Sequence, residues 1–235
     1  MKQVYRADSR GISENKWLYS QHSFSFADYV DPDRTGLGKL IVLNDDIVQA
    51  KRGFGLHHHK NMEIISIPLS GELLHKDTLG NEHIIKTGDI QIMSAGSGIN
   101  HSEYNPSSDT VVNFLQIWIL PKTLDIEPRY AQSTYEQDKM NNHFLAIVSS
   151  LSTDIDAVSI EQNAILSLAH LDEGASISYN THFESASCYL FLIDGEVELG
   201  GELLQKRDAI ALTDSATIKV SANKASKLLC IEIEL

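Results

Sequence analysis

Residues 64–96 read IISIPLSGELLHKDTLGNEHIIKTGDIQIMSAG, and residues 189–214 read YLFLIDGEVELGGELLQKRDAIALTD. Both run from an apolar segment through a Gly-Glu turn, a second segment and a loop. Each then enters a turn ending in Asp that opens another apolar segment. Gly71-Glu72 answers to Gly195-Glu196, and Gly88-Asp89 to Arg207-Asp208. β-branched and aromatic residues dominate these segments, and Gly or Asp turns punctuate them, which is strand chemistry. The same texture continues in KLIVLN, VVNFLQIWIL, CYLFLIDG and LLCIEIEL. Many short strands with regular turns predict an all-β sandwich or barrel, and the repeat predicts that it is built twice. At roughly 150 residues per domain, a chain of 235 residues makes one large or two small domains, and a duplicated β-barrel with a linker near 121–140 fits that length. Helical patterning is weak, and its best candidate is the short Thr134–Lys139 stretch.

Composition removes several function classes. The net charge is -13, which argues against a broad nucleic-acid footprint, because that needs clustered Lys and Arg. The excess is uneven: residues 129–235 carry 7 Lys and Arg against 16 Asp and Glu, and residues 1–128 carry 12 against 16. No apolar run approaches the roughly 20 residues of a membrane helix. The opening stretch MKQVYRADSRGISENKW lacks an apolar core and a small-residue cleavage site, so no signal peptide is expected. Two cysteines, Cys188 and Cys230, make no disulfide framework and read as reduced core residues. A cytoplasmic protein is the expectation.

Histidine is the residue that stands out. Six of the ten lie between His57 and His101, and four of these fall in two clusters beside Gly-rich turns. The first is Gly53-Phe54-Gly55-Leu56-His57-His58-His59-Lys60-Asn61-Met62-Glu63, and the second is Ala95-Gly96-Ser97-Gly98-Ile99-Asn100-His101-Ser102-Glu103. In a strand, residues two apart share a face, so His57 pairs with His59 and His101 with Glu103, while His58 points away. Two such strands side by side converge three imidazoles and one carboxylate, a donor set for iron, copper, nickel, manganese or zinc. Glu63 competes with Glu103, since it shares the parity of His57 and His59 if that strand runs on unbroken. The pattern alone does not separate them.

These residues resemble the motifs of a known family. His57-x-His59-x-x-x-Glu63 followed by Gly71 looks like the first cupin motif. Gly88 through His101 and Asn105 resembles the second, lengthened by two residues and with Ser94 where Pro is common. The longer form is similar to the pirin signature, as are His22-Ser23-Phe24-Ser25-Phe26-Ala27-Asp28-Tyr29 and His75-Lys76-Asp77-Thr78-Leu79-Gly80-Asn81. The likeness is closest to bacterial pirin-like quercetin 2,3-dioxygenases and strongest over residues 1–130.

The resemblance implies a bicupin of two jelly-roll-like β-barrels facing each other. Residues 1–130 would form the metal-binding domain and 131–235 a degenerate cupin without metal. It implies His57, His59, His101 and Glu103 as ligands of one divalent ion, with Glu63 as a neighbour. Iron leads, with copper, nickel, manganese, cobalt or zinc as alternatives. His58 stands where the family often has Pro and is expected to be structural. Transferring the ligand offsets to the second copy lands on Thr181, Phe183, Val220 and Ala222, none of which ligates well, and His182 falls in the slot of His58.

The implied activity is flavonol cleavage by dioxygen, giving a depside and carbon monoxide, with Glu103 as ligand and proton acceptor. Phe54, Met93 and Ile99 are the candidate pocket residues. A flavonol-like substrate and dioxygen are then the partners, with no direct nucleic-acid or membrane contact, and a monomer is the preferred state. The alternative is a non-catalytic metal-binding regulator of a cytoplasmic enzyme or transcription factor. No Lys- and Arg-rich run supports nuclear import.

Overall fold

The computed structural model describes residues 2–154 and 156–234. The chain divides into two compact units, one made of Gly11–Tyr135 with Ile160–Gln162, the other of the remaining described residues. Both are built from strands. After β1 (Lys2–Tyr5), which belongs to the second unit, the first unit begins with β2 (Gly11–Glu14), β3 (Leu18–His22), β4 (Leu40–Val48) and β5 (Gly53–His59). It continues with β6 (Glu63–Ser70), β7 (Glu72–Asp77), β8 (Glu82–Lys86), β9 (Asp89–Ser94), β10 (Ile99–Tyr104), β11 (Val112–Ile119) and β12 (Arg129–Thr134).

These strands form a seven-stranded sheet, ordered β12-β9-β6-β11-β4-β3-β2, and a four-stranded sheet, ordered β5-β10-β7-β8. Val48, Leu73, Ile85, Val112 and Phe114 make one buried cluster drawn from both sheets, so the sheets pack inner face to inner face. Alternation along β10 shows how the sequence aims its polar groups. Ile99, His101 and Glu103 are buried, and Asn100, Ser102 and Tyr104 are not. The inward row thus carries an imidazole and a carboxylate beside an apolar residue, as period-two geometry requires.

The second unit adds β13 (Leu145–Ser149), β14 (Val158–Ser159), β15 (Ala164–Leu171), β16 (Ser176–Asn180), β17 (Ala186–Leu199), β18 (Glu202–Gln205), β19 (Ala209–Thr213) and β20 (Thr217–Glu234). Its sheet runs β1-β19-β17-β20-β15-β13-β14, with β16 on β20 and β18 on β17. Val197, Leu199, Val220, Ala222 and the free, buried Cys188 and Cys230 share its core.

The internal repeat is a repeat of backbone. Gly71 and Gly195 both take positive φ, 77° and 95°, where an L side chain is disfavoured. Gly88 and Arg207 match as well, at 100° and 71°. The following Asp closes the same turn each time: Asp89 accepts from the Lys86 N–H at 2.9 Å, and Asp208 from the Gln205 N–H at 3.1 Å. Arg207 therefore holds a glycine-like conformation in the second copy.

The predicted helix is reduced to a 3-10 turn at Gln137–Met140. Thr134 instead ends β12, because β12 pairs along β9 and the Thr134 hydroxyl donates to Asp89 at 2.6 Å. Among the described residues no helix is long and apolar enough to cross a membrane.

Candidate metal centre

β5 and β10 are antiparallel neighbours, and His101 sits opposite His57 in their register. Directly opposed residues share a sheet face, so the two clusters, far apart in sequence, meet. Ring centroids are 4.7 Å apart for His57 and His59, 4.5 Å for His57 and His101, and 4.9 Å for His59 and His101. One nitrogen from each ring lies within 4.8 Å of the others. The pairing slips between His101 and Glu103, so Glu103 falls opposite Phe54.

The polar accounting of the cluster points to a cation. His59 Nε2 and both nitrogens of His101 are buried without a hydrogen-bond partner among the described residues. Each such orphan costs about 1–3 kcal/mol, and a coordinated ion removes that cost. His57 Nδ1 donates to the Gly55 carbonyl at 2.7 Å, which leaves Nε2 as its lone-pair nitrogen. Burial, then the neighbouring imidazoles, push His59 down to about 4. The same causes push His101 down to about 3. Neutral imidazole is the form that ligates metal.

Glu103 stands beside this group, outside the tight set of three. Its Oε1 accepts from Ser66 Oγ at 3.0 Å and its Oε2 from Gln116 Nε2 at 2.7 Å. Its negative charge is felt at His59, where it favours the protonated form. His57, His59, Glu103 and Gln116 all line one cavity of about 500 Å³. Trp17 and Phe54 meet edge to face on its wall at 5.3 Å, as do Phe26 and Trp118 at 5.4 Å. Ser20, His22, Asn44 and Asp46 supply a polar side. His22 Nδ1 bonds Asn44 at 2.8 Å and its Nε2 bonds Ser13 at 2.9 Å. Asp46 is buried and accepts from Ser20 Oγ. Burial, with the charges of Glu103 and Asp45, raises it to about 7 against the opposing Ser20 bond.

The competing carboxylate is elsewhere. Asn61, at φ 51°, turns the chain between β5 and β6, so the strand does not run on and parity with His59 is lost. Glu63 lies on β6 opposite Ser94. Its Oε2 accepts from Ser94 Oγ at 2.8 Å and the Glu161 N–H at 3.2 Å, and burial pushes its pKa up. His58 is exposed, with Nδ1 3.3 Å from the Asn100 carboxamide oxygen.

Of the pocket candidates, Phe54 lines the cavity. Met93 and Ile99 do not reach it; they pack with Ile64 and Ala95 in a buried cluster at 0% and 1% exposure. Trp17, Trp118, Phe26, Ser66, Gln116 and Asp46 were not singled out by the sequence. Of these only Phe26 lay in a motif, the His22–Tyr29 stretch, which also supplies Ala27 to the cavity.

In the second unit the transferred positions carry no ligand set. Val220 and Ala222 are core residues. Thr181 and Phe183 flank His182 on a loop gathered by Glu232, which is fully buried. Its Oε2 accepts from the Tyr179 hydroxyl at 2.8 Å and His182 Nδ1 at 2.9 Å. Its Oε1 accepts from the backbone N–H groups of His182 and Phe183 at 2.6 and 2.9 Å. His182 thus has a structural partner.

Two β units, one of them gathering three imidazoles of which His57 and His59 line an aromatic-walled cavity, define a bicupin with a candidate metal centre in its first unit. Comparison with known proteins makes the class specific. The pirin family model matches residues 4–119, and that of the quercetinase C-terminal cupin domain matches 147–233. The chain is 36% identical to the quercetin 2,3-dioxygenase of Escherichia coli K12 over 233 residues, 97% of this chain and 96% of the relative. It is 36% identical to a pirin-like protein of Caulobacter vibrioides over 225 residues, 96% of each. The crystal structure of the bacterial pirin YhhW from Escherichia coli in complex with nickel(II) superposes with a TM-score of 0.93 at 34% identity, covering 100% of this chain and 99% of the other. The chain belongs to the pirin family.

Proposed function

We propose that this pirin is a metal-dependent flavonol 2,3-dioxygenase of the quercetinase type. The observation that carries the reading is the imidazole trio, with orphan nitrogens on His59 and His101, whose His57 and His59 share with Glu103 a cavity walled by flat aromatic rings. His57, His59, His101 and Glu103 would hold one divalent ion, a set of three nitrogens and one oxygen that suits several metals. Nickel is named for the related bacterial pirin, and iron remains the family-based expectation. Once bound, the ion would supply Lewis acidity toward a deprotonated flavonol hydroxyl.

The chain's own residues supply the rest. Glu103 is the proton acceptor for the flavonol 3-hydroxyl. Each of its oxygens takes one hydrogen bond from the protein, which leaves one lone pair for the ion and one for that proton. Ser66 and Gln116 hold the carboxylate still as its charge changes. Trp17, Phe54, Phe26 and Trp118 exclude water and grip a planar ring system by edge and face. The polar side at Asn44 and Asp46 offers partners for ring hydroxyls. Ring cleavage by dioxygen then yields the depside and carbon monoxide.

The test is quercetin turnover by protein loaded in turn with iron, nickel, copper, manganese and cobalt, followed by loss of flavonol absorbance and release of carbon monoxide. Turnover abolished in His57→Ala and Glu103→Ala is expected. No turnover with any ion would instead favour a non-catalytic, metal-binding regulator. Unchanged turnover in both variants would remove the site.

A further inference from the structure

His75 and Asp77, in the HKDTLGN stretch, stand behind the histidine trio and have no part in the reading above. Both side chains are fully buried, and His75 Nε2 lies 3.0 Å from Asp77 Oδ2. Asp77 is pinned in turn. Its carboxylate accepts the backbone N–H groups of Leu79 and Asn81 and the side-chain amide of Asn81. Burial pushes its pKa up, but the Asn81 and His75 donors outweigh burial and hold it below its ordinary value. An ionised carboxylate only accepts, so Nε2 of His75 carries the proton and, in a neutral ring, Nδ1 is left as an acceptor. That Nδ1 is buried with no hydrogen-bond partner among the described residues. Tyr130 lies against the ring at 4.7 Å and 37° and restrains its plane.

His101 on the adjacent strand has the complementary deficit. Both its nitrogens are buried and unpartnered, and one of them belongs to the trio with His57 and His59. An imidazole that gives one nitrogen to a cation carries N–H on the other and needs an acceptor for it. Its ring neighbours are His57 and His59 on the β5 side and His75 on the β7 side, the last at 5.3 Å between centroids. No hydrogen bond joins the two rings in this structure; their centroid separation is roughly what an N–H···N bond between two imidazole edges spans, so forming one takes a rotation of the rings and no shift of the strands. The register supports it: Asp77 sits opposite His101, and His75 opposite Glu103.

We propose that His75 is a positioning residue for the metal centre, accepting the outer N–H of His101 at Nδ1 while donating Nε2–H to Asp77. The carboxylate–imidazole–imidazole relay sets the tautomer and ring angle of His101 and strengthens it as a ligand. It rests on the metal reading above, and it accounts for a motif that the ligand set leaves unused.

The direct test uses the intact wild-type protein labelled with nitrogen-15 histidine and loaded with zinc(II). A through-hydrogen-bond coupling between a ring nitrogen of His101 and one of His75 is expected. Its absence with zinc bound at one equivalent overturns the relay and leaves the metal centre standing; failure to bind zinc overturns both. A second measurement uses His75→Phe, which keeps a ring against Tyr130 and removes the acceptor. Its zinc affinity, read by chelator competition, should fall about 10- to 100-fold, and its copper(II) electron paramagnetic resonance spectrum should shift. His75→Gln, which retains an acceptor, should recover part of both. A His75→Phe protein with wild-type affinity and a superimposable copper(II) spectrum overturns the proposal.

Discussion

His101 on β10 faces His57 on β5 directly across the antiparallel ladder, their rings 4.5 Å apart at 54°. That one register pairing turns two separate stretches of sequence into a cluster of donors. A slip of one residue would send His101 and Glu103 to the outer face together.

Removing one imidazole of the trio should cost more than an outer partner does. His57→Ala or His101→Ala is expected to lower nickel or zinc affinity by more than about 100-fold, the upper end for an outer partner. His58→Ala should leave it unchanged, because His58 is exposed and turned toward Asn100. Chelator competition measures all three.

The two carboxylates should separate cleanly. Glu103→Gln keeps the shape but loses the charge and the proton acceptor, so flavonol cleavage should fall about 10²- to 10⁴-fold. Glu63→Gln should leave metal affinity unchanged, since Glu63 bonds Ser94 and the Glu161 backbone. Metal content and turnover, measured on both variants, decide between them; metal loss in Glu63→Gln would move the centre.

Asp46 should make metal-free protein less stable as pH rises. Its pKa is raised from an ordinary 3.8 to about 7 in the folded state. The folded state therefore holds the extra proton between those values, and stability falls as pH climbs through that window, levelling above about 7. The ceiling on the loss is about 4 kcal/mol. Asp46→Asn cannot ionise, so its stability relative to wild type should grow between pH 4 and 8. Urea midpoints across that range read the difference; a constant difference would refute it.

Glu232 should matter for folding and not for metal. Glu232→Ala strands the buried Tyr179 hydroxyl and two backbone N–H groups, while the exposed His182 ring turns to water. At about 1–3 kcal/mol for each buried orphan, a loss of about 3 kcal/mol or more is expected in the second unit. Nickel affinity at the first unit should stay at the wild-type level. Chemical denaturation and metal titration check the two halves.

Much of this was legible in the chain. Period-two alternation put His57 with His59 and His101 with Glu103, and the duplicated Gly-Glu and Asp turns announced two β units. Asp89 and Asp208 then closed identical turns. The separation of Glu63 from the histidines was not legible from pattern, because it hangs on Asn61 at φ 51°, a local reversal that breaks parity. The cavity wall was largely hidden as well. Trp118, Asp46 and Gln116 come from strands of the opposite sheet and Trp17 from the bend before β3, and no short-range spacing links them to the histidines. Met93 and Ile99 sit near the motif in sequence, yet they pack into the core with Ile64 and Ala95.

Strand identity, side-chain facing and the turn positions are local properties, set by β-branched content, alternation and the few residues that tolerate positive φ, and the linear order of residues carries them. Convergence is a long-range property. The register of β5 on β10, the packing of one sheet on the other, and the burial that keeps His59 and His101 neutral all depend on residues distant in the chain. Only the folded molecule brings Ser66 and Gln116 to Glu103, and Asp77 and His75 up behind His101.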